Sequence, residues 1–208
     1  MSAITFARYG IAMLAAFAAG GTLAAEKADD WEFGITAYPT VVHGGENYTS
    51  AIAVADREAL HLEARYNYES IGARSAFIGW TFSGGDAVTW ELTPLLGGAW
   101  GDLHAFVPGV EASVSWRALD IYIEAEYVRD NGNRNDSYFY AWTELGFRPV
   151  DWLRLGIAGQ RTRTYDNQRD IQRGPFVQLT WRSVTIGGYW FNPGSNEQVF
   201  VGLIGATF

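Results

Sequence analysis

The chain closes on Gln198-Val-Phe-Val-Gly-Leu-Ile-Gly-Ala-Thr-Phe208, and the reading of this stretch decides the fold. Phe200, Ile204, Ala206 and Phe208 fall on one face at period two, so the stretch is a strand whose outer surface stays apolar from end to end. A terminus in water ordinarily frays. A strand that keeps its pattern to a final aromatic is instead expected to be paired along both edges.

The other end has a different character. Met1 to Ala25 carries Arg8, a short apolar run over Tyr9–Ala19 and the small residues Thr22-Leu-Ala-Ala25 before Glu26. This is the pattern of a secretory signal peptide: the apolar core is too short to span a bilayer, and no stop-transfer pattern follows. Cleavage is expected after Ala24 or Ala25, leaving 26–208 as one domain. No later stretch approaches the roughly 20 consecutive apolar residues of a membrane helix, so a membrane protein of this sequence crosses with strands.

The chain has no cysteine, which excludes disulfides and thiolate metal sites. Its net charge is −8, and loss of Arg8 with the signal makes it more acidic, so nucleic acid is not an expected partner. Lys27 is the only lysine. Cationic work therefore falls to arginine, whose fork suits carboxylate and phosphate.

From Trp31 onward, segments of about ten residues alternate apolar with polar and are broken by turn residues, the weak per-segment pattern of a transmembrane barrel. Twelve are read: 31–42, 50–56, 60–70, 74–83, 87–101, 105–117, 120–129, 137–148, 152–165, 173–182, 185–192 and 198–208. Ten is the alternative count, should the second or the glycine-rich fifth be misread. Connections after odd segments, such as His43–Thr49, Asp130–Asp136, Asp166–Gln172 and Asn192–Glu197, are long and rich in Asn, Asp and Gly. Those after even segments, around Arg57-Glu58, Gly84-Gly85, Ala118-Leu119, Pro149–Asp151 and Ser183-Val184, are tight. Long loops at one end and short turns at the other, with an even count, place both termini on the short-turn, periplasmic side.

Parity across hairpins tests this reading, because facing residues share a side. Pairing Arg117 with Asp120 sets Glu111 opposite Glu126 and leaves Val110, Ala112, Val114, Trp116, Ile121, Ile123, Ala125 and Tyr127 on an uncharged face. A three-residue turn after the second segment sets Ala51, Ala53 and Ala55 opposite Arg65, Glu63 and His61, and Gly79 opposes Glu91. In the tenth and eleventh segments Val177, Leu179, Trp181, Ile186 and Trp190 face out, while Gln178, Thr180, Arg182 and Thr185 face in. A soluble sandwich alternates in the same way. The signal peptide, the terminal Phe and the girdle of Phe82, Trp90, Trp116, Phe147, Trp181 and Phe208 near strand ends favour a barrel. The whole 26–208 stretch resembles the bacterial outer-membrane β-barrel proteins of porin-like type. That resemblance implies an all-β, antiparallel, up-and-down transmembrane barrel in the cell outer membrane, with Phe208 as the signal read by the barrel assembly machinery.

The inward set is charged: Glu63, Arg65, Glu69, Glu91, Glu111, Arg117, Glu124, Glu126, Glu144, Arg148, Arg154 and Arg182, together with His61, Tyr122, Tyr138, Tyr140 and Trp142. Twelve strands about 4.8 Å apart and tilted about 40° close on a radius of roughly 12 Å. With two layers of long side chains inside, the channel is on the order of 10 Å wide or less. Inward Glu outnumber inward Arg, so a watery lumen favours cations. The leading expectation is a narrow pore for small hydrophilic, cation-leaning solutes. The rival is a sealed surface barrel, in which Arg154 pairs with Glu144 and Arg65 with Glu63 and Glu69. Tyr138, Tyr140 and Trp142 offer either a stacking surface or simple filling.

Chemistry for catalysis is thin. Asp102-Leu-His104 resembles the Asp-x-His pair of omptin proteases, but the Asp pair that should face it is not evident in the sequence and the chain is much shorter than that family. No enzyme, no cofactor and no metal-ligand spacing is read. At the outer rim, Arg161, Arg163 and Arg173 continue the outward face of Leu153, Leu155, Ile157, Pro175 and Val177. Charge is tolerated there only at headgroup depth, so these arginines are expected to contact lipopolysaccharide, the alternative being pairing with Asp166 and Asp170.

Overall fold

The computed structural model describes residues 30–164 and 169–208; the stretch 1–25, expected from sequence to be a signal peptide, and Asp166 lie outside the described residues. The described chain is twelve strands. They are β1 (Glu32–Val42), β2 (Tyr48–Arg57), β3 (Leu60–Tyr66), β4 (Ala73–Trp80, resumed after Thr81 as Phe82–Gly84), β5 (Thr89–Gly101) and β6 (Ala105–Trp116). The second half is β7 (Leu119–Asp130), β8 (Tyr138–Val150), β9 (Leu153–Thr164), β10 (Arg169–Trp181), β11 (Val184–Phe191) and β12 (Val199–Thr207). Every strand pairs antiparallel with its chain neighbours, and β1 pairs with β12 from Gly34–Thr207 to Val42–Val199, so the sheet is a closed barrel without an edge. The break at Thr81 leaves the register intact: Gly79 faces Leu95 and Phe82 faces Leu92 on the same strand.

Residues of the sequence-read segments recur in all twelve strands. The third ends at Tyr66 rather than 70, because Asn67 turns the chain with φ +53°, and the tenth begins at Arg169 rather than 173. Three registers differ from the sequence reading, and in two of them the cause is the same. The turns Glu58-Ala59 and Arg117-Ala118 each hold two residues, the first in the left-handed region at φ +53° and +54°. Asp56 therefore pairs with His61, Val54 with Glu63 and Ile52 with Arg65. Ala51, Ala53 and Ala55 face outward, since a one-residue slip exchanges the faces of a strand. In the β6–β7 hairpin the slip is two residues. The faces are kept, but Glu111 lies opposite Glu124, not Glu126. Gly79 lies opposite Leu95, not Glu91.

Arg117 and Arg182 are the other correction. Both are turn residues rather than lumen residues, and each guanidinium lies over the ring of the preceding tryptophan, 5.0 Å from Trp116 and 5.1 Å from Trp181. A cation held above an interfacial indole sits at the polar edge of the apolar band.

The outer surface carries the exposed large apolar side chains in an ordered way. Phe82, Trp90, Trp116, Phe147, Trp181 and Phe208 are exposed at the short-turn end, as read from sequence. Tyr66, Trp100, Phe106, Tyr127 and Phe139 form a second girdle at the long-loop end, and Ile78, Leu96, Ile121, Leu145, Ile157 and Ile204 lie between. An aliphatic band between two aromatic girdles is what a bilayer-spanning barrel presents to lipid. The core is the inside of the barrel, where Tyr38, Tyr68, Phe77, Tyr122, Trp142, Phe176, Tyr189 and Phe191 are buried among the polar groups.

Candidate functional site: a buried ion network in the lumen

Inside the barrel, alternating residues of facing strands bring two arginines together with an excess of carboxylates. The first cluster gathers around Arg65 of β3. Its Nε donates to Glu63 Oε1 at 2.7 Å and one terminal nitrogen to Glu63 Oε2 at 3.0 Å, a two-pronged fork. The other terminal nitrogen donates to Glu124 at 2.9 Å and Glu126 at 3.1 Å, both on β7. Glu69 and Glu111 approach to 3.6 and 3.9 Å. The guanidinium is also held between the rings of Tyr68 and Phe77, 4.2 and 4.3 Å away. Phe77 can stand there because its neighbour is Gly97, where a Cβ would come within 2.2 Å of the ring.

Tyr68 and Glu69 belong to the β3–β4 connection and fold inward over the cluster. The Tyr68 hydroxyl donates to Glu124 Oε2 at 2.6 Å, and Ser75 donates to Glu69 at 2.7 Å. Burial holds the Glu69 carboxyl above its ordinary value, against the opposing pull of Arg65 and the Ser75 hydroxyl. The connection is pinned by Asn67, whose side chain donates to Thr49 O at 3.0 Å and accepts from Gly72 N at 2.8 Å.

The second cluster surrounds Arg154 of β9. It donates to both oxygens of Asp120, to Glu144, and to Gln178 at 3.2 Å. Glu144 also accepts from Tyr189 at 2.7 Å and from the Trp142 indole at 3.1 Å, while Phe176 lies 4.8 Å beneath the guanidinium. Gly146 makes the fork feasible, since a Cβ there would lie 2.5 Å from Asp120 and 2.6 Å from Arg154 Nε.

Of the sequence-read lining residues, Glu63, Arg65, Glu111, Glu124 and Glu126 join the first cluster, and Trp142, Glu144 and Arg154 the second. Tyr138 donates to the Glu69 carbonyl and Tyr140 to Gln160 at 3.3 Å. Tyr138, Tyr140 and Trp142 are all buried, so they fill the lumen and offer no open stacking face. Glu91 is exposed near the short-turn end and joins neither cluster. Tyr68, Asp120, Phe176, Tyr189 and Phe191 were not read as lining residues. Tyr68 comes from a connection, whereas Tyr189 and Phe191 flank the outward Trp190 and share the parity of the inward Thr185, so strict alternation is the signal that finds them.

Outside, β10 sets Arg173 opposite Gly159 and β9 sets Arg161 opposite Ala141, so Arg161, Arg163 and Arg173 share the outward face at the long-loop end. Asp170 pairs with Thr162 on the other face and accepts from Gln172 at 3.4 Å. At the short-turn end Phe208 exchanges two backbone hydrogen bonds of 2.9 Å with Phe33, and their rings stack at 6.0 Å. Asp102 and His104 sit exposed in the β5–β6 connection, and among the described residues no hydrogen bond or ion pair joins the His104 imidazole to a carboxylate.

No family model and no curated protein matches the chain. Solved structures do. A KdgM porin in complex with disordered oligogalacturonate superposes with a TM-score of 0.61 at 8% identity, covering 84% of this chain and 99% of that one. A second KdgM porin structure gives 0.59 at 9%, covering 84% and 98%. The Acinetobacter baumannii outer membrane protein Omp33 aligns over 86% of this chain and 98% of its own at 14% identity, with a TM-score of 0.45. At such identities the likeness concerns the backbone alone, and what it establishes is that this chain has the twelve-stranded, porin-like fold of outer-membrane β-barrels.

Proposed function

We propose that the chain is an outer-membrane porin-like barrel, not an enzyme, whose acidic lumen is shut at rest by its own side chains and passes small cations when the Arg65 cluster loosens. The observation that carries this is the convergence of five glutamates on Arg65. A surplus of buried carboxylate is costly unless compensated, and a lumen of that sign attracts cations and repels anions. An anionic oligosaccharide, such as the oligogalacturonate of the KdgM complex, is therefore a poor cargo for this lumen. The burial of Arg65, Arg154, Trp142 and Glu144 supports closure at rest, because the lining of a water-filled channel stays wet.

The same burial favours a second reading, a permanently sealed surface barrel. Planar-bilayer recording under a KCl gradient separates them. The wild-type barrel is expected to show rare, small steps, and Arg65→Gln more frequent ones with a cation-selective reversal potential. Silence from both proteins supports the sealed reading, and an anion-selective sign overturns the acidic-lumen argument. The proposal extends to the surroundings: lipopolysaccharide phosphates against Arg161, Arg163 and Arg173, the assembly machinery reading Phe208, and both termini on the periplasmic side.

A further inference from the structure

We propose that His61, Glu63 and Glu111 form a binding site for one divalent first-row transition-metal ion in the lumen wall, with Zn2+ as the probe. This goes beyond the conduction reading and does not depend on it. The three side chains come from β3 and β6, and one ligand atom from each lies within 4.8 Å of the others. Ligands about 2.1 Å from a tetrahedral zinc are about 3.4 Å apart. His61 Nε2 and Glu63 Oε2 are 3.7 Å apart, close to that spacing and too far for a hydrogen bond.

His61 supplies the independent sign that something belongs there. It is 8% exposed, its Nδ1 is fixed on Asp56 Oδ1 at 2.7 Å, and its Nε2 has no hydrogen-bond partner. When Nδ1–H is donated to Asp56, the neutral ring leaves the Nε2 lone pair beside Glu63 Oε2 at 3.7 Å, a contact between acceptors that a proton or a metal ion on Nε2 relieves, and Glu111 stands close enough to share the metal. A carboxylate behind the imidazole is also the usual outer partner of a metal-bound histidine, fixing tautomer and ring orientation. Glu111 Oε1 likewise has no hydrogen-bond partner. The donor set of one imidazole and two carboxylates, with no thiolate in the chain, suits zinc, manganese or iron(II) better than copper(I). A dication would also offset part of the carboxylate surplus around Arg65. The sequence hid the site because its third ligand lies on another strand, whereas His61-Leu-Glu63 alone is an ordinary alternation.

The test is zinc binding by the refolded barrel in detergent after EDTA stripping, measured by isothermal titration and by bound metal per chain. One equivalent is expected. Glu111→Gln and His61→Ala should each weaken binding at least tenfold, and Asp56→Asn, which keeps all three ligands, by about 10–100-fold. Replacing Zn2+ by Co2+ should give visible ligand-field bands that His61→Ala removes. Circular dichroism checks that each variant is folded, and the near-isosteric Glu111→Gln keeps the test decisive if His61→Ala does not fold. No binding by the wild type, or equal binding by Glu111→Gln, overturns the site; because this readout needs no conductance, its failure is separate from that of the pore reading.

Discussion

Replacing Arg154 by Met should unfold a large part of the lumen's stability while leaving its shape nearly unchanged. Methionine retains the length of the arginine stem, so the packing loss is small. What disappears is the charge that serves two carboxylates, Glu144 at 0% exposure and Asp120 at 8%; Asp120 keeps a longer ion pair with Arg148 at 3.6 Å, so Glu144 is the carboxylate left uncompensated. Removing one partner of a buried pair costs about 3–5 kcal/mol, because the other charge is left without compensation. At 1.4 kcal/mol per factor of ten, that is a loss on the order of a hundred- to several-thousand-fold in the folding equilibrium. The assay is urea unfolding of the refolded barrel in lipid vesicles, followed by tryptophan fluorescence. Adding Asp120→Asn and Glu144→Gln removes the stranded charges and should restore at least half of the loss, since neutralised sites keep most of their hydrogen bonds. A loss below about 1 kcal/mol, the level of a surface pair, would refute the reasoning, and so would a triple variant no better than Arg154→Met.

Three further outcomes follow from the exterior. Ile157 is 62% exposed midway along β9, and Ile157→Arg should cost about 2–4 kcal/mol in the same vesicle assay, against about 0–1 kcal/mol for Trp116→Arg at the interface; equal costs would contradict the membrane depth assigned to them. Changing Arg161, Arg163 and Arg173 together to Gln should lower the lipopolysaccharide that co-purifies with the barrel without changing its unfolding, and unchanged lipid content removes that contact. Deleting Phe208 should cut the amount reaching the outer membrane in cells severalfold yet leave refolding in detergent intact; normal cellular levels would end its role as an assembly signal.

The sequence carried the barrel because lipid imposes a simple rule on every second residue. Val177, Leu179 and Trp181 had to be apolar in turn, and so their neighbours Gln178 and Thr180 had to be inside. Register was less legible. Two-residue hairpin turns ordinarily announce themselves with Asn or Gly at positive φ, but here Glu58, Arg117 and Arg182 take that conformation at φ +53°, +54° and +56°. Nothing in the residue types marks them, so the sequence pattern alone sets Ala55 opposite His61 and counts Arg117 among the lumen charges, where the structure has neither. The Arg65–Glu63 and Arg154–Glu144 pairs were readable because they lie on one strand or on adjacent strands. Tyr68 was not, because it folds inward from a connection where period two no longer applies. Nor was the meeting of His61 with Glu111, which requires the barrel to close.

The most direct test of a membrane-spanning barrel shut by its own side chains is a spin-label scan along β10 from Phe176 to Trp181. The chain has no cysteine, so each label can be placed singly. Collision rates with oxygen report lipid, and those with a water-soluble nickel chelate report aqueous lumen. Oxygen access is expected at 177, 179 and 181, with low access to both reagents at 176, 178 and 180. High nickel access at the even positions would show an open, water-filled lumen, and loss of the two-residue oxygen period would contradict the barrel itself.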